Sequence, residues 1–329
     1  MRLGPLARAA DWWHYKLPPL LGVAYLCLER GGVGAGAAAP PLALILLSAV
    51  GTAAFGHLLN DWADLDADRR AGRPSALAGA SPGARLAWLG AALLLAVAPW
   101  AALPRAPLNL ALFAAELALF ALYSLPPLRL KERGVAGMLC DALYGHALPV
   151  AVFAATFQLA AGSAAAADRR FLAALIVWKL VQGVASALAS QARDRRADRR
   201  AGVRTFALAI GPRRAFAAAN ALFPLHAASF VVALALAGRL ASWLLAALAV
   251  HAAATAWRLH ARYSKRASYY RRELPAFPYL HDFQERWLPL LPLAALALRE
   301  PAWLGLGLAH VALFRGGLDP LVPWRRRRR

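Results

Sequence analysis

The chain has 329 residues, is 60% hydrophobic and yet carries a formal charge of +21. So much charge in so apolar a chain must be gathered between apolar segments, which excludes an ordinary soluble domain and points to a polytopic helical membrane protein. The basic excess fits cytoplasmic loops under the positive-inside rule and gives no reason to invoke nucleic acid, and two cysteines in apolar runs, Cys27 and Cys140, support no thiolate metal site.

Met1 to Asp11 lacks the apolar core and small-residue site of a cleaved signal peptide. Trp12, Trp13, His14, Tyr15 and Lys16 read as an interfacial belt, and a first span runs from there to about Leu28. Further spans are predicted over about 41–60, 84–103, 107–124, 135–157, 170–191, 214–237 and 240–257. Each is long enough to cross a hydrocarbon layer of about 30 Å. The longest polar stretch runs from Arg258 to Arg286. Residues 287–298 and 302–314 are each short for a span and are separated by Arg299-Glu300-Pro301. They form either one broken helix or a tight hairpin, so the expectation is nine transmembrane helices, with a tenth segment if they fold as a hairpin. With the N-terminus inside, the loops after spans 2, 4, 6 and 8 hold most of the Lys and Arg and face the cytoplasm. The chain is thus read as an integral protein of the inner or cell membrane.

Two acidic segments lie on that side. The first is Asn60-Asp61-Trp62-Ala63-Asp64-Leu65-Asp66-Ala67-Asp68, where span 2 leaves the bilayer. On a regular helix Asp61, Asp64 and Asp68 share one stripe, with Asn60 beside it and Asp66 turned elsewhere. Like charges so stacked repel unless a cation is shared among them. Oxygen ligands without sulfur suit Mg2+, which binds through one or two carboxylates together with a substrate phosphate. The second segment, at the end of span 6, places Asp194 and Asp198 one helical turn apart. Both segments run on into the same tail, Arg69-Arg70-Ala71-Gly72 and Arg199-Arg200-Ala201-Gly202. That match reads as an internal repeat pairing helices 1–4 with helices 5–8 in one domain over residues 1–329. Two facing acidic helix ends can hold a diphosphate between metal ions and let an allylic C–O bond ionise. A third segment, Tyr123-Ser124-Leu125-Pro126-Pro127-Leu128-Arg129-Leu130-Lys131, offers a tyrosine and two cations that suit phosphate.

In this order, Asn60-Asp61-x-x-Asp64-x-x-x-Asp68, Tyr123-x-x-Pro-Pro-x-Arg129-x-Lys131 and Asp194-x-x-x-Asp198 across an all-α membrane protein, the chain resembles the UbiA superfamily of intramembrane prenyltransferases. The resemblance covers helix 1 to at least helix 8. It implies nine transmembrane helices around a central cavity that opens laterally to membrane lipid. It also implies Mg2+-dependent transfer of a prenyl group from its diphosphate to a lipophilic acceptor, aromatic or otherwise ring-bearing. By the same resemblance Asn60, Asp61, Asp64, Asp68, Asp194 and Asp198 bind Mg2+ and diphosphate, while Tyr123, Arg129, Lys131 and Arg73 contact the diphosphate. The sequence Arg69-Arg70-Ala71-Gly72-Arg73-Pro74 departs from the Arg-Thr-x-x-Arg-Pro common in the 4-hydroxybenzoate and haem branches. Buried polar residues near these motifs, His57, Glu116, Asp141 and His146, are candidates for binding the acceptor or relaying its proton. Lys179 is expected to snorkel toward the opposite interface. Phe55, Phe120 and Trp178 are candidates to line a prenyl tunnel. A secondary transporter is the alternative, since internal repeats also mark that class.

Overall fold

The structure is a computed structural model that describes residues 9, 12–71, 75, 77–162, 166–200, 205–263 and 280–314. Among the described residues there is helix and connecting turn and no strand. Helix α1 covers Trp13–Gly31, α2 Ala35–Ala63 and the short α3 Leu65–Ala71. Then come α4 (Pro82–Val97) and α5 (Pro107–Ser124). Helices α6 (Val135–Ala142) and α7 (Leu148–Ala160) are joined by a π-helical turn, Leu143–Ala147. Helix α8 (Ala166–Arg200) is followed by α9 (Phe206–Ile210), α10 (Pro212–Ala221), α11 (Phe223–Ala235) and α12 (Ala241–Tyr263). A second π-helical turn, Phe283–Trp287, leads into α13 (Leu288–Arg299), and α14 covers Trp303–Leu313.

Seven helices among the described residues are long and apolar enough to cross a membrane, against the nine expected. The difference has a physical origin. Helix α1 carries Lys16, Glu29 and Arg30 near its ends, and α13 and α14 are each short. Even so, α1 is enclosed by other helices over most of its length. Every residue from Leu17 to Glu29 is buried, against α7 and α13 among others. A helix apolar on all sides belongs inside a bundle.

The choice between a broken helix and a hairpin is resolved by contacts to α1. Arg299 at the end of α13 pairs with Glu29 near the end of α1 (2.7 Å), whereas the Trp13 indole N–H at its start donates to the carbonyl of Leu313 at the end of α14 (2.9 Å). The two short helices therefore double back as a hairpin. Glu300 fixes the corner, its carboxylate accepting from the backbone N–H of Ala35 at 3.0 and 3.2 Å. The last long helical stretch also begins earlier than expected, at residue 280 rather than 287. Leu280, Phe283 and Gln284 pack inward at helical spacing, while His281 and Glu285 keep the stretch too polar for a hydropathy reading.

Between helices in lipid, burial of apolar surface gives little drive, so close backbone approach by small residues carries the packing. Gly51 of α2 meets α4 so closely that an added Cβ would lie 2.3 Å from the backbone nitrogen of Ala96. Beside it the Ser48 hydroxyl donates to the Ala96 carbonyl (2.7 Å) and accepts from the Trp100 indole (3.0 Å). We expect Gly51→Val to cost at least the ~1–3 kcal/mol of an overpacked core. The check is a lower unfolding temperature in detergent.

Candidate active site

A cavity of about 1290 Å³ runs into the bundle and is walled by α1, α2, α5, the α6–α7 unit, α8 and the stretch from residue 280. Residues of all three sequence motifs line it. Asn60, Asp64 and Asp68 come from the end of α2 and from α3, Arg129 and Lys131 from the turn after α5, and Ser190, Gln191 and Asp194 from α8.

The first acidic segment is not one uninterrupted helix. Helix α2 ends at Ala63, Asp64 caps it, and α3 restarts at Leu65. Helical hydrogen bonds still carry across the break, from the Asp64 N–H to the Asn60 carbonyl (3.0 Å) and from the Asp68 N–H to the Asp64 carbonyl (2.8 Å). The break changes which carboxylates meet the cavity. Asp64, Asp66 and Asp68 line it, Asp66 at its rim with a side chain 83% exposed, while Asp61 is half-buried outside the lining set.

Asp64 is the centre of this region. Its Oδ1 accepts from the Lys131 ammonium at 2.6 Å and from the Arg129 guanidinium at 2.8 Å. Lys131 also donates to Asn60 Oδ1 (3.0 Å), and Arg129 to the carbonyl of Ala63 (3.1 Å) and to Glu132. Arg129 adopts a left-handed backbone, φ 39°, where a residue with a side chain is strained. Such strain persists where surrounding contacts over-determine it. Burial draws the Lys131 ammonium below its ordinary pKa, and Asp64 opposes that shift.

Tyr123 and the four acceptor or proton-relay candidates, His57, Glu116, Asp141 and His146, also line the cavity. The Tyr144 hydroxyl donates to Asp141 (2.7 Å), and the Tyr123 and Tyr144 rings meet edge to face at 5.1 Å. Arg73 and the side chain of Asp198 lie outside the described residues. Of the proposed tunnel aromatics only Phe120 lines the cavity, together with Phe113 and Phe153. Phe55 packs against a separate apolar cluster, and Trp178 stacks on Phe230 at 4.7 Å in the core.

Two expectations need correction. Lys179 does not snorkel: it is 6% exposed, lines the cavity and donates to Gln182 (2.8 Å). Lys16 is not simply part of an interfacial belt, because it lines the cavity and donates to the carbonyl of Gly145 at 3.0 Å. Gln182, His281 and Glu285 also line the cavity without having been foreseen. A signal for the first was available: Lys179, Gln182, Ser186, Ser190 and Asp194 recur at helical spacing and continue the second acidic segment inward.

Among the described residues, no group of three or more His, Cys, Asp or Glu is gathered tightly enough to enclose a metal ion alone. What this region offers is a set of hard oxygen donors from separate helices, with Asp64 and Asp194 lining one cavity and two cations, Arg129 and Lys131, bonded to Asp64. That set fits a hard ion that brings phosphate oxygens as its remaining ligands, the usual habit of Mg2+.

The apolar spans and the internal cavity lined by both acidic segments define an integral membrane protein built around a chamber. The chain belongs to the UbiA prenyltransferase family, whose model matches residues 17–277. No curated protein sequence matches it. Among solved structures it is similar to a UbiA homolog from Archaeoglobus fulgidus bound to GPP and Mg2+, at 19% identity, covering 96% of this chain and 97% of that one with a TM-score of 0.59. The same homolog bound to DMAPP and Mg2+ matches at 18% identity over 97% and 98% of the chains, with a TM-score of 0.60. Bound to Cd2+, it matches at 18% identity over 89% and 98%, with a TM-score of 0.61. At such identities the likeness is one of fold.

Proposed function

We propose that the protein transfers a prenyl group from an allylic diphosphate to a lipid-soluble, ring-bearing acceptor, releasing pyrophosphate, with Mg2+ as cofactor. The observation that carries this reading is the convergence of Asp64, Asp194, Arg129 and Lys131 on one cavity whose lining also includes Phe113, Phe120 and Phe153. Family membership and the Mg2+ and prenyl diphosphates bound by the archaeal homolog support it. Asp64, Asp68 and Asp194, which line the cavity, would hold the metal together with Asp198; Asp61, which the sequence grouped with them, lies off the lining and would join only by turning inward, and Asn60 would face the diphosphate. Bound Mg2+ would neutralise charge growing on the leaving diphosphate. Arg129, Lys131, Tyr123 and Arg73 would hold diphosphate oxygens. The aromatic wall would pack along the prenyl chain and face the allylic cation as it forms. Enclosure would keep water from the cation until the acceptor ring attacks it, forming the new C–C bond. The ring would then lose its proton to a cavity base, for which His57, Glu116, Asp141 and His146 are the candidates. The basic loops support placing the acidic segments on the cytoplasmic side. The shared Arg-Arg-Ala-Gly tail supports reading the two halves as a repeat.

The test uses purified protein in lipid nanodiscs with labelled prenyl diphosphates of graded length. Pyrophosphate should be released, should cease on chelation with EDTA and should return with added Mg2+. Passage of intact diphosphate across a vesicle membrane without cleavage would favour a carrier instead.

A further inference from the structure

At the far end of the bundle from Asp64, a second charged cluster gathers around the last turn of α1. Helix α2 sets the separation: its 29 residues run from Ala35 to the acidic segment, roughly 43 Å at about 1.5 Å per residue. Glu29, near the end of α1, is 0% exposed, and a charge so far from water is costly without a partner. Arg299 of α13 supplies one, 2.7 Å from Oε1. Arg30 pairs with Asp168 of α8 at 2.6 Å, its guanidinium lying over the Phe171 ring. Glu300 directs its carboxylate at the backbone N–H of Ala35, the positive end of the α2 dipole. Each of these three acids is thus already matched.

Arg239 is then surplus. It sits in the turn between α11 and α12, its Nε 3.8 Å from the same Glu29 Oε1 that Arg299 holds, and its side chain is 65% exposed. Arg299 is itself 43% exposed. Both guanidinium groups also donate to the backbone carbonyl of Glu29, at 3.3 Å from Arg299 and 3.4 Å from Arg239. Two forks thus converge on one carboxylate and one carbonyl. Among the described residues neither has another carboxylate within 4.0 Å. A guanidinium carries five donors in a fork that suits phosphate oxygens. The end of α1 adds only a partial negative charge, whereas exposed Arg169 and Arg170 near the start of α8 add two positive ones. The sequence around the two forks is apolar and faces outward. Arg239 opens the span Gly238–Trp257, the least buried of the seven at 11%, and Trp243, four residues on, is 73% exposed. Leu298, next to Arg299, is 89% exposed.

We propose that Arg239 and Arg299 form a binding site for the phosphate of a membrane phospholipid with a net-anionic head group, in the leaflet opposite the acidic segments. The two forks select phosphate. The exposed apolar side chains beside them select an amphiphile over a free phosphate ion, because acyl chains can lie along α12 and α13. The uncompensated positive charge selects an anionic head group over a zwitterionic one, whose own ammonium would stand near the same arginines. Bound there, the lipid bridges the α11–α12 turn, α13 and the end of α1. Helix α1 also gives Leu17 and Leu20 to the cavity wall, so the lipid steadies that wall from its far end. The site is independent of the reaction carried out in the chamber.

The test reads lipid enrichment beside Trp243. The full chain is placed in nanodiscs of phosphatidylcholine with a small fraction of lipid brominated on its acyl chains near the head group, either phosphatidylglycerol or phosphatidylcholine. The signal is the part of the tryptophan quenching that Trp243→Phe removes. At equal fractions brominated phosphatidylglycerol should be enriched there at least about fivefold over brominated phosphatidylcholine, the scale of one arginine near a membrane surface. Arg239→Gln should abolish the enrichment and keep the fold, because Arg299 still neutralises Glu29. Arg299→Gln alone strands that carboxylate, so it is combined with Glu29→Gln, and this double variant should also lose the enrichment. Arg213→Gln, which removes an exposed arginine at the start of α10, should leave it unchanged. Excess inorganic phosphate should not displace the lipid. Equal quenching by the two lipids in the wild type would overturn the proposal. So would enrichment that survives Arg239→Gln in folded protein, since arginines that merely brace Glu29 have no reason to sort lipids. Displacement by inorganic phosphate would assign the site to a soluble anion and overturn the choice of a lipid.

Discussion

Asp64→Ala and Asp194→Ala are each expected to lower pyrophosphate release by at least on the order of 10²–10³-fold, the scale seen when one preorganised electrostatic group is removed from an active site. Asp64 should be the worse loss. It faces the cavity and is also the acceptor on which both Arg129 and Lys131 converge, at 2.8 and 2.6 Å. Its removal leaves two cations without their shared partner as well as deleting an oxygen donor. Asp194 has no such second duty among the described contacts, so its replacement should act on the reaction more than on the fold. The double variant decides whether the two segments act together. If one metal–diphosphate assembly bridges them, Asp64→Ala with Asp194→Ala should be no slower than the slower single variant, because a unit already broken cannot be broken again. Losses that multiply would mean two independent sites. Activity retained in both single variants would end the metal-site assignment. Melting temperature in nanodiscs separates lost chemistry from lost protein.

The cluster around Asp64 was legible because carboxylates and cations at the ends of spans stand out against apolar sequence. Asn60, Asp64, Asp68, Asp194, Arg129 and Lys131 all line one cavity. What the sequence hid has two causes. The first is local geometry: the break between α2 and α3 at Asp64 cannot be read from a residue that is neither Gly nor Pro, and it sets Asp61 apart from the lining carboxylates. The second is that a polar side chain in an apolar span has two cheap destinations, the headgroups or another helix. Lys179 by its distance from Asp194 suggested the former, yet Gln182 one turn away supplied a partner and the cavity a place to be. The helix from residue 280 was missed for a related reason. Its cavity-facing His281 and Glu285 lowered its hydropathy, because that face serves the chamber rather than lipid. Among the described residues seven spans rather than nine are long and apolar enough to cross a membrane, because α1 and the closing hairpin carry charges or stop short. Their place in the bundle comes from contacts such as Arg299 with Glu29, which no window along the sequence contains.

Replacing Lys131 should separate two roles that the resting geometry merges. Lys131 has a side chain only 9% exposed and is held between Asn60 and Asp64, so part of its work is to keep Asp64 aimed at the cavity. A diphosphate arriving with its metal would compete for that same carboxylate, and the freed ammonium would then meet phosphate oxygen instead. Lys131→Met should therefore raise the KM for prenyl diphosphate and lower kcat, with a combined loss in kcat/KM of about 10–10²-fold, the worth of one or two charge-assisted hydrogen bonds. Lys131→Arg should recover part of KM, since a guanidinium serves phosphate well, but less of kcat, because its planar fork cannot reproduce the position of a point charge between Asn60 and Asp64. A double-mutant cycle with Asp64→Ala locates the interaction. If Lys131 acted only on phosphate, the two losses would add in free energy. If it acts partly through Asp64, the cycle should show a coupling of at least ~0.5 kcal/mol, with Lys131→Met costing less once Asp64 is gone. Strict additivity would reduce the ammonium–carboxylate contact to a neighbour relation and leave Lys131 as a phosphate ligand alone.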